Sequence, residues 1–347
     1  MWERGAIVAA GAVLAWSGTA GAQLMIPDIR RDRVMLFDRV HGDVVDLNWI
    51  TDTGAVGWSF NSPKEARVVG NEIWVSDQVE DAVQRFTMGR VFIASITQHF
   101  RPGVRLDNVR GFGDDGSRVY LTVLGNVAAD RGVVMYDYTG APVGFYPGSG
   151  SYFDAEPFGA AGGSLLVSSS TSGSIERWTN GVPGAPFATG LPQPQQINVM
   201  PDGSVITVSS NASPEVEGVY HFNADGSLRR FIATEGLKGQ VGELTPRGAY
   251  QLGDGNYLLT TDVGVFRTVG GPGGGFALVQ GSVDAQYIVA MPPPACPCDW
   301  NHNDVINSQD YFDFLVDFFS GTGDYNADGV VDTRDYFDFL TCFFAGC

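Results

Sequence analysis

Short runs of alternating apolar and polar residues recur along most of the chain, separated by glycine-containing turns. One set of runs is Ile73-Trp74-Val75, Val119-Tyr120-Leu121, Leu165-Leu166-Val167, Val205-Ile206-Thr207 and Tyr257-Leu258-Leu259. Their starts lie 46, 46, 40 and 52 residues apart. A second run follows each: Val83–Phe86, Val133–Tyr136, Ile175–Trp178, Gly218–Phe222 and Val265–Arg267. Turns come next at Met88-Gly89, Thr139-Gly140, Pro183-Gly184, Asp225-Gly226 and Gly271-Pro272-Gly273. Period-two alternation bounded by glycine predicts antiparallel strands. A period of about 40–50 residues with four strands per unit predicts β-propeller blades, which bury their faces by stacking around an axis.

The ends of this segment set the blade count. Leu24–Asp28 and Arg33–Phe37 align with Trp74–Asp77 and Ala82–Phe86, which matches Asp28 to Asp77, Asp32 to Asp81 and Phe37 to Phe86. The chain thus enters at the second strand of a blade. Ala285–Ala290 is similar to the inner-strand segments Ala66–Val69 and Gln195–Val199 and supplies the missing first strand. Five continuous blades and one composite blade predict an all-β six-bladed propeller over residues 23–291, closed by its own termini so that no edge is left open. The pattern resembles the NHL and gluconolactonase-like superfamily, including the turn Asp202-Gly203-Ser204.

Polar residues recur near the starts of the inner strands: Glu65, Arg67, Asn108, Arg110, Glu156, Gln195, Gln196, Arg247 and Gln286. They are expected either to ring a channel mouth that takes an anionic or hydroxyl-rich ligand, or to line a hydrated channel. The resemblance implies, for a gluconolactonase-like enzyme, oxygen ligands converging on a divalent metal. Glu65, Asn108 and Glu156 come nearest, without a specific match. A streptogramin-lyase-like site would need a histidine, and His41, His99 and His221 are each expected to be structural or superficial. No GxSxG elbow or HExxH helix is present. The propeller is therefore read as a non-catalytic binding module. The rival reading is a hydrolase or lyase acting on a carbohydrate or lactone.

Pro292-Pro293-Pro294 favours a stiff extended linker over residues 292–295. Beyond it, residues 299–315 and 324–340 match at nine of 17 positions, a tandem duplication at an offset of 25. Each copy places oxygen-bearing residues at positions 1, 3, 5, 9 and 12 of a loop, with a backbone carbonyl at position 7, the spacing that wraps Ca²⁺ in six to eight hard oxygens. The first loop offers Asp299, Asn301, Asn303, Val305, Asn307 and Asp310; the second offers Asp324, Asn326, Asp328, Val330, Asp332 and Asp335. Gly329 fits the tight turn at position 6 of the second loop. Asp304 and Asn303 predict weaker binding in the first.

These loops, each followed by an aromatic helix, resemble the type I dockerin repeat, half of an EF-hand. The resemblance implies two bound Ca²⁺ ions and a cohesin-like partner, or another surface or scaffold protein. Family positions that read the partner correspond to Ser308, Gln309, Thr333 and Arg334. They depart from the frequent Ser/Thr pair. An exposed aromatic patch built on Phe314 and Phe339 is also expected to dock a partner. The ending Gly346-Cys347 resembles dockerin-like tails of exported bacterial proteins.

All four cysteines, Cys296, Cys298, Cys342 and Cys347, fall in residues 296–347. An even count in a short exported module predicts two disulfides, with three connectivities open. One of Cys296 and Cys298 is expected to join Cys342, the other Cys347. Export is also predicted by the start of the chain, where Arg4, the apolar run Ala6–Trp16 and Ala20-Gly21-Ala22 form a signal peptide over residues 1–22. The destination is an extracellular or cell-surface one in a bacterium. The net charge of −18 repels nucleic acid. The C-terminal segment carries ten aspartates and one arginine, −9 of that total.

Overall fold

The computed structural model describes residues 23–159, 163–210, 216–271, 274–292, 297–301, 306–326 and 330–345. The chain divides into two compact units, one spanning 23–292 and the other holding the described residues from 297 onward. No helix among the described residues is long and apolar enough to cross a membrane.

The large unit is a six-bladed propeller of antiparallel sheets. From the inside outward, blade 2 runs Pro63–Val69, Glu72–Asp77, Ala82–Thr87 and Phe92–Ile96. Blades 3 to 6 repeat the order with inner strands Val109–Asp114, Tyr152–Phe158, Pro194–Val199 and Pro246–Gln251. Blade 1 is composite. Val289–Ala290 pairs with Gln23–Asp28, placing Ala290 opposite Leu24 and Val289 opposite Met25. Arg33–Asp38 and Val44–Thr51 complete that blade.

The core lies between blades. Trp74 of blade 2 packs with Val109, Phe112, Val119 and Tyr136 of blade 3. Burying large side chains in this way is the main source of stability for stacked sheets, at about 25 cal/mol per Å² of apolar area. The aspartates matched in sequence serve one purpose in their blades. Asp77 accepts from the backbone N–H groups of Asn61, Ser62, Val79 and Glu80, tying the entry of the inner strand to the corner between the next two. Asp28 does the same in blade 1, accepting from the Arg30 and Asp284 N–H groups. Asp32 and Asp81 share a left-handed backbone, φ 48° and 53°.

Each of the five continuous inner strands carries a register shift near its start: Pro63/Glu65, Val109/Phe112, Tyr152/Asp154, Pro194/Ile197 and Pro246/Gly248. Such bulges re-aim side chains, and they govern what faces the channel.

The small unit holds two helices, Ser308–Ser320 and Thr333–Ala345. Asn307 caps the first in a reciprocal capping box with Asp310, and Gly321 ends it at φ 80°. Phe314 and Phe339 stack face to face, centroids 4.0 Å apart and planes 6° from parallel. Cys298 is disulfide-bonded to Cys342 beside them. Cys296, Cys347 and most of the linker lie outside the described residues.

Candidate functional site

The bulge turns two successive residues of each inner strand toward the channel instead of one. At the outer of the two positions stand Lys64, Arg110, Phe153, Gln195 and Arg247, joined by Gln286 from the closing segment of blade 1. At the inner position stand Glu65, Gly111, Asp154, Gln196 and Gly248, joined by Tyr287.

Tyr287 plugs the channel. It is fully buried, and its hydroxyl donates across the axis to the Phe153 carbonyl at 3.3 Å. Glycine opposite makes room for it. A Cβ on Gly111 would fall 2.4 Å from Asp154 Oδ1 and 2.8 Å from Tyr287 Cε2.

Beside the plug, carboxylates crowd one cation. Arg67 Nη2 donates to Glu65 Oε1 at 2.9 Å and also to Glu156. Glu65 Oε2 accepts the Phe112 N–H at 2.8 Å, and Asp154 accepts the Ile197 N–H at 2.8 Å. Burial pushes the Glu156 carboxyl up to about 8, Glu65 adding to the shift and Arg67 opposing it. Burial also raises Asp154 well above the usual carboxylate range, helped by Glu65 and Glu156.

Several sequence expectations are corrected by this geometry. Glu65, Arg67 and Glu156 do not wait for a ligand; they satisfy one another. Gln196 and Gln286 are fully enclosed. Gln196 accepts the Ile288 N–H at 2.9 Å and donates to the Ile288 carbonyl at 2.6 Å, so it fastens the closing segment. Asn108 accepts from Gln78 and Arg110 at 3.0 Å each. Of the expected ring, Arg110, Gln195 and Arg247 stay in the upper tier with capacity left over.

The residues that sequence reasoning missed are Lys64, Asp154, Asp284 and Tyr287. Strict alternation hides Lys64 behind Glu65, and only the bulge brings both inward. The three described histidines are outside the channel site. His99 accepts the Arg101 N–H and packs on Phe145. His221 lies between Tyr257 and Ser204, held down to about 4 by burial. His41 is exposed.

In the small unit the two loops close alike. Asp310 accepts the N–H groups of Asn301 and Asn307, at 3.3 and 2.9 Å. Asp335 accepts those of Asn326 and Asp332, at 3.1 and 2.8 Å. The Asp299 side chain reaches Asp310, and Asn301 Oδ1 is buried with no partner among the described residues. Asn303, Val305 and Asp328 lie outside the described residues. Among the described residues, no three of His, Cys, Asp and Glu assemble as a metal cluster.

Ser308, Gln309, Thr333 and Arg334 are exposed in the first helical turns, where Gln309 bonds Asp313 and Arg334 bonds Asp332. Phe314 and Phe339 are not a docking patch, since each is fully buried against the other. Among the described residues of the small unit, the exposed phenylalanines are Phe312, Phe319, Phe337 and Phe344.

No family model matches the chain, and no curated protein matches its sequence. Solved structures resemble it in fold. A Bacteroides caccae protein of unknown function superposes with a TM-score of 0.52 at 11% identity, covering 78% of this chain and 99% of that one. A streptogramin B lyase gives a TM-score of 0.50 at 12% identity, over 76% of this chain and 83% of its own. A chain of a nidogen/laminin complex gives 0.51 at 12% identity, over 79% and 100%. At such identities the likeness concerns architecture alone: the large unit is a six-bladed β-propeller, and chemistry does not transfer with the fold.

Proposed function

We propose that this is an exported protein whose C-terminal module is a Ca²⁺-ordered, dockerin-like anchor, and that the propeller it holds at a surface or scaffold is a non-catalytic binding module. The observation that carries the reading is the twofold loop latch. Residues 25 apart, Asp310 and Asp335, each accept the N–H groups of loop positions 3 and 9. The latch draws each position-12 carboxylate over its own loop, where a Ca²⁺ loop needs its bidentate ligand.

The donor set fits the ion. Asp299, Asn301, Asn303, the Val305 carbonyl, Asn307 and Asp310 would hold one Ca²⁺. Asp324, Asn326, Asp328, the Val330 carbonyl, Asp332 and Asp335 would hold the other. All are hard oxygen donors, and the orphaned Asn301 Oδ1 is one of them. A bound divalent ion neutralises carboxylates that otherwise repel. Exposed Phe312, Phe319, Phe337 and Phe344 give the ordered module apolar surface for a cohesin-like or other scaffold partner. On the propeller side, carboxylates engaged with Arg67, and histidines in structural roles outside the channel, favour binding over catalysis.

The test is calorimetric titration of the full chain with CaCl₂, repeated on Asp310→Ala/Asp335→Ala. The reading expects two equivalents bound and helical circular dichroism gained by the wild type, both lost in the variant. No heat and no spectral change in the wild type would overturn it.

A further inference from the structure

We propose that the channel mouth above Tyr287 is a binding site for a small hydroxylated oxyanion, a sugar acid or hydroxy acid, whose charged group sits among Lys64, Arg110 and Arg247. The inference rests on the reading of the propeller as a binding module and names the class of its ligand.

Three cations from blades 2, 3 and 6 share one tier, in a chain whose net charge is −18. Lys64 is 3% exposed and Arg110 7% exposed, so little water screens them. Lys64 Nζ donates to Gln286 Oε1 at 2.7 Å and lies 4.8 Å from the centre of the Tyr287 ring, which leaves ammonium protons to spare. The Arg110 guanidinium lies 4.0 Å from the centre of the Phe153 ring and is steadied by Asn108 and Ser151, fixing its orientation. Arg247 Nε is buried with no hydrogen-bond partner, and the Asp284 carboxylate stands 4.0 Å away. Gln286 holds that carboxylate at 2.5 Å.

The tier therefore sets two guanidinium groups and the Lys64 amine against the Asp284 carboxylate. Of the remaining acids, Glu65 and Asp154 stand at the inner position with Tyr287, and Glu65 and Glu156 are bound to Arg67. Burial holds the Lys64 amine well below its usual range, and repulsion from Arg247 and Arg110 adds to this. An oxyanion removes that repulsion and completes the donors of Arg247. Gln195 supplies the second half of the recognition. It occupies the same tier, is 2% exposed, and its Oε1 is buried and unpartnered, an acceptor suited to a ligand hydroxyl. Access is on the side of Arg247 and Asp284, whose side chains keep 25% and 26% exposure.

The experiment titrates the full chain with D-galacturonate and with D-galactose, which shares its hydroxyls and lacks the carboxylate. Galacturonate is expected to bind and galactose to give no heat at about 10 mM. Arg247→Gln removes one charge at the most exposed of the three cations and is expected to weaken galacturonate roughly tenfold to a hundredfold. Lys64→Met is a second variant with the same expectation, each melted beforehand to establish that it folds. Equal binding of the two sugars, no binding of galacturonate, or unchanged affinity in folded Arg247→Gln would overturn the assignment. Calcium binding is read in the same samples, so failure at the mouth is distinguishable from failure of the anchor.

Discussion

Replacing Glu156 with glutamine preserves the shape that meets Arg67 and deletes one ionisation. The Glu156 carboxyl titrates at about 8 in the folded protein against an ordinary value of 4.5, chiefly because it is buried. Between those two values the native state keeps a proton that the unfolded chain has released. Stability contributed by this group is therefore present below pH 4.5 and lost as pH rises through 8. A span of this size corresponds to about 5 kcal/mol at about 1.4 kcal/mol per unit. For a unit of about 270 residues, with a melting entropy of about 2.1 cal/mol/K per residue, the loss lowers Tm by roughly 9 °C. Glutamine cannot titrate, and Arg67 keeps its bonds to Glu65. Differential scanning calorimetry of both proteins from pH 4.5 to 9 should show the wild-type transition falling by roughly 9 °C more than that of Glu156→Gln. Asp154 and Glu65 are also raised by burial, and Glu156 helps to raise Asp154, so the difference reports Glu156 together with its repulsion of its buried neighbours. Parallel curves would refute the reasoning.

Gln196→Ala strips the Ile288 N–H of its buried acceptor, although Asn198 still reaches the Ile288 carbonyl. A cost of about 1–3 kcal/mol is expected, seen in hydrogen exchange as faster labelling concentrated in residues 285–291; a uniform change across the propeller would contradict it. Phe339→Ala empties half of the stacked pair in the small unit, a loss of about 3–5 kcal/mol. That is as large as the whole stability expected of so small a core. NMR of the full chain should then show the small unit's resonances collapsing to random-coil positions; a dispersed spectrum would contradict the assignment of Phe339 to the core.

How much of this was legible depended on whether the cause was local. Asp28 and Asp77 were matched by alignment, and both clamp a blade corner, because that clamp needs a short polar acceptor at one place in every repeat. The composite nature of blade 1 was legible for a similar reason: Leu24–Asp28 carries the marks of a second strand and Ala285–Ala290 those of a first. The bulges left no such mark. Alternation puts Glu65 and Arg67 on one face and turns Lys64 away. The structure brings Lys64 in as well, and with it the cationic tier. Phe314 was misplaced because one helix viewed alone suggests the stripe 311, 315, 318. The missing signal was the duplication itself. Pairing of two similar helices about a pseudo-twofold axis sets equivalent residues against each other. Phe314 meets Phe339, and Tyr311 meets Tyr336 hydroxyl to hydroxyl at 3.3 Å, each pair 25 residues apart.

The segment that closes the ring also furnishes the channel. Its ladder with the first strand is short, Leu24 with Ala290 and Met25 with Val289, with one further bridge between Asp28 and Ala285. Much of its hold comes from other blades. The Tyr287 N–H donates to the Lys64 carbonyl of blade 2, and Gln196 and Asn198 of blade 5 bind the backbone of Ile288. Asp284, Gln286 and Tyr287 are thus positioned by the act of closure, and they form one wall and the floor of the cationic tier. Opening the ring would dismantle the tier. A ligand that binds only the assembled tier must in turn stabilise the closed ring by RT ln(1 + [L]/Kd). Recognition at the mouth and integrity of the propeller are two readings of a single equilibrium, because the same residues from 284 to 290 serve both.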